Sequence, residues 1–579
     1  MKLMIRFLKP YFGQCAAICF FILLDVLGAL LVPTITADMI NTAISGGAIS
    51  QIINSGLLML GVSLLAGLGA LLASWLCAKV SANLGRDMRN AIYDKSLSFS
   101  ASDFERFGTA SMITRTLNDI NVIQQAFVNF MLMVVPVPVI CVMGIVFSFR
   151  INADMGILIL SLTVLVAFFA GLIVRKASPI FERLQRFLDR MNVVLRENIT
   201  GIRVIRAFNK ETYESGRMKK TFEDYAQSSI EANRLFAGLD SLATASINLC
   251  IVAILYLGGN SVGAGAMEIG DITAVTEYAI WILFYIVMAQ MVIILIPRAV
   301  ICLKRLSDVL SLTPEITDQS TGVLRLPEPC TDVISFENVA FRFDDAEEET
   351  VKGISFHCRR GETTAIIGGT GSGKSTIAKL LLRYHDVTDG RILLESADIR
   401  SIPQSRLREK ISYVPQKAWL FSGTIEENLK YGNQNASEEE LSHALRTAQS
   451  NFVFDLPGGL RSHVAQGGTN FSGGQKQRLS IARALVKKAD LYVFDDSFSA
   501  LDFKTDAALR QALKTEMKDA ALLIIAQRIS TIVHADQILV LNDGKIAGIG
   551  KHEELMKTCP VYQDIAQSQM KGGGLRGNQ

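Results

Sequence analysis

A chain of 579 residues is too long for one ordinary core, and half of its residues are hydrophobic, with a positive mean hydropathy. The net charge is only +3, and no block of Lys and Arg is dense enough to form a nucleic-acid groove, so nucleic acid is excluded as a partner class. Nine cysteines, an odd count without a C-x-x-C pair, fall largely inside apolar runs and read as buried free thiols; Cys15 and Cys19 have no His or carboxylate beside them to make a metal site.

The apolar excess falls almost wholly in the first 306 residues. The start, MKLMIRFLKPYFGQ, is basic and precedes an apolar run, but that run is longer than a signal-peptide core and lacks a small-x-small cleavage site, so it reads as mature protein. A membrane-spanning helix needs roughly 20 mostly apolar residues. Segments at about 12–40, 52–84, 126–149, 155–177, 235–265 and 271–303 meet that need. The connections after the first, third and fifth are short and carry one Lys or Arg between them, whereas those after the second and fourth are long and rich in both. The positive-inside rule therefore puts the long connections, both termini and everything after residue 333 in the cytoplasm, as in a multi-pass protein of a bacterial cell membrane.

The two long connections hold helix formers at helical spacing and almost no Pro, so the membrane helices are expected to run on into the cytoplasm. Each should reverse through a short segment, at 104–115 and 197–208, able to touch the soluble part. Asp25, Asp38, Asp240, Glu277 and Arg298 are charges within the spans. Tyr278, Trp281, Tyr285 and Met288 share one helical face, which reads as helix packing ahead of a substrate-contacting stripe. Pro33, Pro136, Pro138 and Pro297 mark expected kinks.

Residues 307–332 are polar and Pro-containing, as a linker should be, and a soluble α/β domain is expected over 333–570, followed by a flexible tail at 571–579. Within that domain an apolar strand runs into G-x-x-x-x-G-K-S, and a helical pattern follows. The stretch comprises Gly368, Gly369, Thr370, Gly371, Ser372, Gly373, Lys374, Ser375 and Thr376, in the strand, loop and helix setting of a P-loop. Glycines let backbone N–H groups close round phosphates, Lys374 reaches the β/γ-phosphates, and the Ser375 hydroxyl can hold Mg²⁺. A second apolar strand, LYVF, ends on Asp495, a carboxylate suited to the Mg²⁺ shell. These residues alone specify a site for Mg-ATP or Mg-GTP.

Between the two strands lies FSGGQKQRLSIARAL, and here the chain resembles the ABC transporter family. The likeness is to the exporter-type half-transporter, in which a membrane α-helical domain of six long helices is fused to a C-terminal P-loop ATPase domain whose helical subdomain carries the signature motif. It covers essentially the whole chain, and the motifs come in the family's order. The resemblance implies that Phe343 stacks on adenine, that Gln416 of SYVPQ contacts Mg²⁺ and senses the membrane half, and that Ser472, Gly473, Gly474 and Gln475 form the signature. It also implies a second strand ending VFDD, a D-loop SALD in which Asp502 helps join two sites, and a switch at IIAQR. ATP and Mg²⁺ are the implied cofactors, with Ser375, Gln416 and Asp495 as the implied metal set.

The chain departs from the family at two positions, with Asp496 where Glu usually follows the metal carboxylate and Gln527 where the switch usually has His. Asp is one methylene shorter, which sets its carboxylate more than ~1 Å back from the attacking water, a misplacement that can cost on the order of 10²-fold. Gln527 can hydrogen-bond a γ-phosphate but cannot titrate as an imidazole. The expectation is a site that holds ATP and cleaves it slowly. Since family members pair head to tail, the intact signature points to a second, non-identical half-transporter supplying the competent site. The expected cargo is a small amphipathic compound, moved outward across the lipid bilayer as in heterodimeric bacterial multidrug exporters. The alternatives are a homodimeric lipid or peptide exporter with weak ATPase, and a siderophore or haem uptake system on the same fold. No peptidase-like extension precedes residue 1, an expectation against a leader-processing exporter.

Overall fold

The computed structural model describes residues 2–293, 295–318, 330–343 and 346–574. They fall into two compact units, one of Met1–Ser98 with Phe107–Thr313 and one of Phe99–Arg106 with Pro314–Gln579.

The first unit is helical. Phe12–Ile44, Ile49–Leu97, Ala153–Thr200, Glu211–Gly263 and Ile269–Ile293 are long helices, and a run of helical turns covers Thr109–Ile151. At 1.5 Å per residue, the 49-residue helix Ile49–Leu97 is about 70 Å long, roughly twice a bilayer's apolar core, so it continues well past any membrane. Among the described residues five helices are long and apolar enough to cross a membrane, and the fourth expected span falls in the helix Ala153–Thr200, whose first part, Ala153–Phe169, is apolar. The first two helices approach closely because small residues face each other: a Cβ on Gly28 would stand 2.3 Å from the Ala66 Cβ, and one on Gly69 3.1 Å from the Phe21 carbonyl oxygen. The helix containing Pro136 widens to a π-turn over Phe130–Val134, where the Val135 N–H donates to the Phe130 carbonyl at 3.1 Å. Pro136 has no N–H to continue the regular ladder, and the wide turn just before it absorbs that break.

The aromatic face of the sixth span begins in packing. Tyr278 is fully buried, its hydroxyl 2.6 Å from the Thr34 hydroxyl and its ring 6.0 Å from Phe147. Trp281 and Tyr285 follow, half-buried, with ring centroids 6.3 Å apart. The reversals are short helices, Ala101–Phe107 and Ile202–Ala207. The first ends at Gly108 with φ +73° and the second is followed by Asn209 with φ +51°, both residue types that enter the left-handed region at low cost.

The second unit is α/β. Its main sheet runs Lys545–Gly550, Gln537–Asn542, Thr363–Gly368, Ala521–Ile525, Leu491–Asp495, Ile411–Val414, parallel except at the Lys545–Gly550 edge. The central strands Leu491–Asp495 and Ala521–Ile525 are buried along their whole length and apolar up to Asp495, because both faces are covered. An antiparallel sheet of Val351–Arg359, Asp332–Phe341, Asp389–Leu394 and Ala397–Asp398 packs its core beside it. Helices Ile425–Lys430, Glu438–Thr447 and Gly473–Val486 form a helical subdomain. All three begin at capping boxes, from Thr424 to Glu427, Ser437 to Glu440 and Ser472 to Gln475. Residues 99–106 join this unit: Asp103, buried, accepts from the Ser100 N–H at 3.0 Å and the Glu315 N–H at 3.3 Å, and Ser102 donates to the Glu315 carboxylate.

Of the linker expected at 307–332, residues 319–329 lie outside the described residues, and its first five belong to the helix Leu295–Ser311. Of the tail expected at 571–579, residues 575–579 lie outside them, and the helix Pro560–Gly574 reaches into it.

Candidate functional site

The P-loop strand Thr363–Gly368 sits between two parallel neighbours, so its C-terminal end opens where the sheet's loops gather. A Cβ on Gly368 would stand 2.3 Å from the Leu541 carbonyl oxygen, and one on Gly373 2.8 Å from that of Thr350. Gly371 and Gly373 turn through φ +82° and +94°. The helix Lys374–Leu381 follows, and no side chain caps its start. Its first N–H groups are thus left for an anion, and the loop fits a nucleotide's phosphates. Lys374 folds over the loop, donating to the Gly368 carbonyl at 2.9 Å and the Gly369 carbonyl at 2.6 Å. Burial pushes its pKa down, while Asp496 and Asp495 oppose that shift.

The strand Leu491–Asp495 delivers the carboxylates. Asp495 accepts from the Ser375 hydroxyl at 3.2 Å on one oxygen and from the Tyr413 hydroxyl at 3.3 Å on the other. A hydroxyl and a carboxylate so close together suit a hard cation such as Mg²⁺. Asp496 turns off the strand with φ +47°, its N–H held by the Ile525 carbonyl at 2.8 Å. One of its oxygens accepts both the Gln416 amide at 3.2 Å and the Gln527 amide at 2.9 Å. Burial raises the pKa of both carboxyls, opposed by the hydroxyl donors at Asp495 and by Gln416 and Lys374 at Asp496.

Ser375 with Asp495, and Gln416 and Gln527 with Asp496, therefore form two hydrogen-bonded sets on adjacent carboxylates, and Lys374, which feels both charges, lies on the loop that also carries Gly369, Thr370, Ser372 and Thr376. Phe343 lies apart, its ring edge-on to Phe341 at 4.8 Å and near His385 at 5.4 Å. Ser472 caps the helix Gly473–Val486, accepting from the Gln475 N–H at 3.3 Å while Gln475 accepts from the Ser472 N–H at 2.9 Å. A Cβ on Gly474 would stand 3.2 Å from the Ala500 carbonyl, so the signature abuts the D-loop. Asp502 caps the next helix, Phe503–Glu516, through Thr505. Among the described residues no hydrogen bond joins Ser472, Gly473, Gly474 or Gln475 to the P-loop. Sequence reasoning missed Tyr413. A tyrosine in a strand flanked on one side by Leu491–Asp495 needs a partner for its hydroxyl, and that need was the available signal.

Models of two family regions match the chain, the ABC transporter transmembrane region over residues 15–287 and the ABC transporter region over 351–499. An uncharacterized ABC transporter ATP-binding protein of Mycobacterium tuberculosis is 36% identical over 572 residues, 98% of each chain. The chain belongs to the ABC transporter family. It is an exporter-type half-transporter, a transmembrane helical domain fused to an ATPase domain that binds ATP and couples its hydrolysis to transport, and such halves work as dimers in a lipid membrane. The transporter is also 31% identical over 488 residues to an ATP-dependent lipid A-core flippase of Syntrophus aciditrophicus, covering 84% of this chain and 80% of that one. Its fold is that of a bacterial Atm1-family ABC exporter solved with ATP bound, at a TM-score of 0.80, 24% identity, and 96% and 98% of the two chains covered.

Proposed function

We propose that this transporter is one half of a heterodimeric exporter of amphipathic compounds in a bacterial cell membrane, and that its own ATP site hydrolyses slowly. One observation carries the reading: the carboxylate in the catalytic position, Asp496, is short and has one oxygen taken up by the amides of Gln416 and Gln527. Neither amide can accept a proton at neutral pH, so nothing beside Asp496 replaces the missing imidazole. The signature is capped and intact, as it must be to complete a site on another chain. ATP would be held on the P-loop from Gly368 to Thr376 with Phe343 against the base, and Ser375 and Asp495, with Gln416, would hold the Mg²⁺ that offsets the charge of its phosphates. The slow site keeps its nucleotide and limits separation of the two ATPase domains, while hydrolysis at the partner's site resets the cycle.

The second reading is a homodimeric lipid exporter, and the 31% identity to a lipid A-core flippase supports it. The two separate in one experiment. ATP turnover by this chain purified alone should be at least tenfold below that of the chain co-purified with a second half-transporter bearing Glu and His. Equal turnover by the chain alone would overturn the heterodimer.

A further inference from the structure

The last helix touches the switch. Helix Pro560–Gly574 is anchored through Tyr562, fully buried with its hydroxyl 2.8 Å from His552 Nδ1, and through Ala566, 2% exposed in the main core. Gln569 lies one turn beyond Ala566 on the same side, since positions 562, 566 and 569 follow helical spacing. Its amide spans the backbone of the switch. Gln569 Nε2 donates to the Gln527 carbonyl at 2.6 Å, and Gln569 Oε1 accepts from the Ile529 N–H at 2.9 Å. One side chain thus satisfies a carbonyl and an N–H two residues apart. That pairing fixes the chain direction at the point where the strand Ala521–Ile525 passes into the helix Ile529–Ile532. No side chain caps that short helix at Arg528, so its Ile529 N–H depends on Gln569.

The geometry points to Gln569 as the residue that positions the switch, holding the Gln527 backbone so that its amide reaches Asp496. The chain of contacts is continuous: the core holds Tyr562 and Ala566, the helix carries Gln569, Gln569 grips residues 527 and 529, and the Gln527 amide donates to Asp496 at 2.9 Å. The C-terminal helix is therefore a fixed stop for the switch backbone, beside the contacts of Arg528 with the Phe503 ring and of Ile529 with the core. The inference rests on Gln527 being the switch of this chain's site, and it holds whether the second chain is identical or not.

The test follows nucleotide on this chain and the backbone of its switch separately. In the full transporter in nanodiscs, Gln569→Ala should speed amide exchange across 527–531 at least tenfold and leave the P-loop helix Lys374–Leu381 unchanged. Gln569→Glu keeps the acceptor and should restore protection at Ile529. If Gln569→Ala loosens the whole domain, Gln569→Glu decides: protection regained at Ile529 supports the positioning role, and none regained overturns it. Release of photoactivatable 8-azido-ATP, read as label on this chain, should be at least threefold faster in Gln569→Ala. The same change should add nothing in a Gln527→Ala background, because Gln569 then has no amide to position. Unaltered exchange at 527–531, or additive effects on release, would overturn the inference. Both readouts stay valid if the chain proves active alone, so failure of the heterodimer reading would be seen separately, in ATP turnover.

Discussion

Asp496 combines two constraints that its chemistry alone does not reveal. Its backbone sits at φ +47°, a region that Asp enters more readily than most residues because its short polar side chain can bond locally. Its carboxylate is shared by two amides, and burial raises its pKa. The residue types at 495, 496 and 527 were legible in the sequence, and so was the shortfall of one methylene. The meeting of Gln416 and Gln527 on one oxygen was not, because it needs residues 80 and 31 positions away to converge. If reach is what limits hydrolysis, Asp496→Glu should raise the ATP turnover of the purified chain at least tenfold, since an error of about 1 Å can cost on the order of 10²-fold. Adding Gln527→His should raise it further by supplying a titrating ring. Turnover unchanged in the double variant would locate the defect outside this pair.

Local rules and tertiary demands agree best in the helical subdomain. Each of its helices starts with Ser or Thr followed three residues later by Glu or Gln, so the sequence marks these helix starts on its own. Ser437 offers a clean measure, because it caps Glu438–Thr447 away from the nucleotide loop, accepting from the Glu440 N–H at 3.2 Å. Ser437→Ala should cost about 1 kcal/mol, seen as a lower thermal midpoint of the solubilised chain, with ATP affinity unchanged. A midpoint equal to the parent's would mean that the packing of Leu441, Ala444 and Leu445 holds the helix without its cap. The helices of the membrane unit are legible differently. Hydropathy places them, but the π-turn before Pro136 and the close seam of Gly28 against Ala66 depend on what a neighbouring residue or helix presents. The start of the expected linker is helical for a similar reason: Leu303, Leu306 and Val309 bury one continuous face of a helix that ends at Ser311, whatever the polarity of the opposite side.

At the scale of the whole chain, charge asymmetry and helix length make one joint statement about direction in the membrane. Helices of 49, 48 and 53 residues cannot end at a bilayer's surface, so their excess must emerge on one side. Lys and Arg concentrate in those extensions, after the second span and after the fourth, and the positive-inside rule assigns them to the cytoplasm. Ser45, just past the first span, and Lys210, just past the second reversal, are both exposed and should lie on opposite faces. In a cysteine-free background, Ser45→Cys should react with an impermeant maleimide in intact cells, and Lys210→Cys only after permeabilisation. The reverse pattern would put the P-loop outside the cell, away from ATP, and would remove the energy source from every reading of this site.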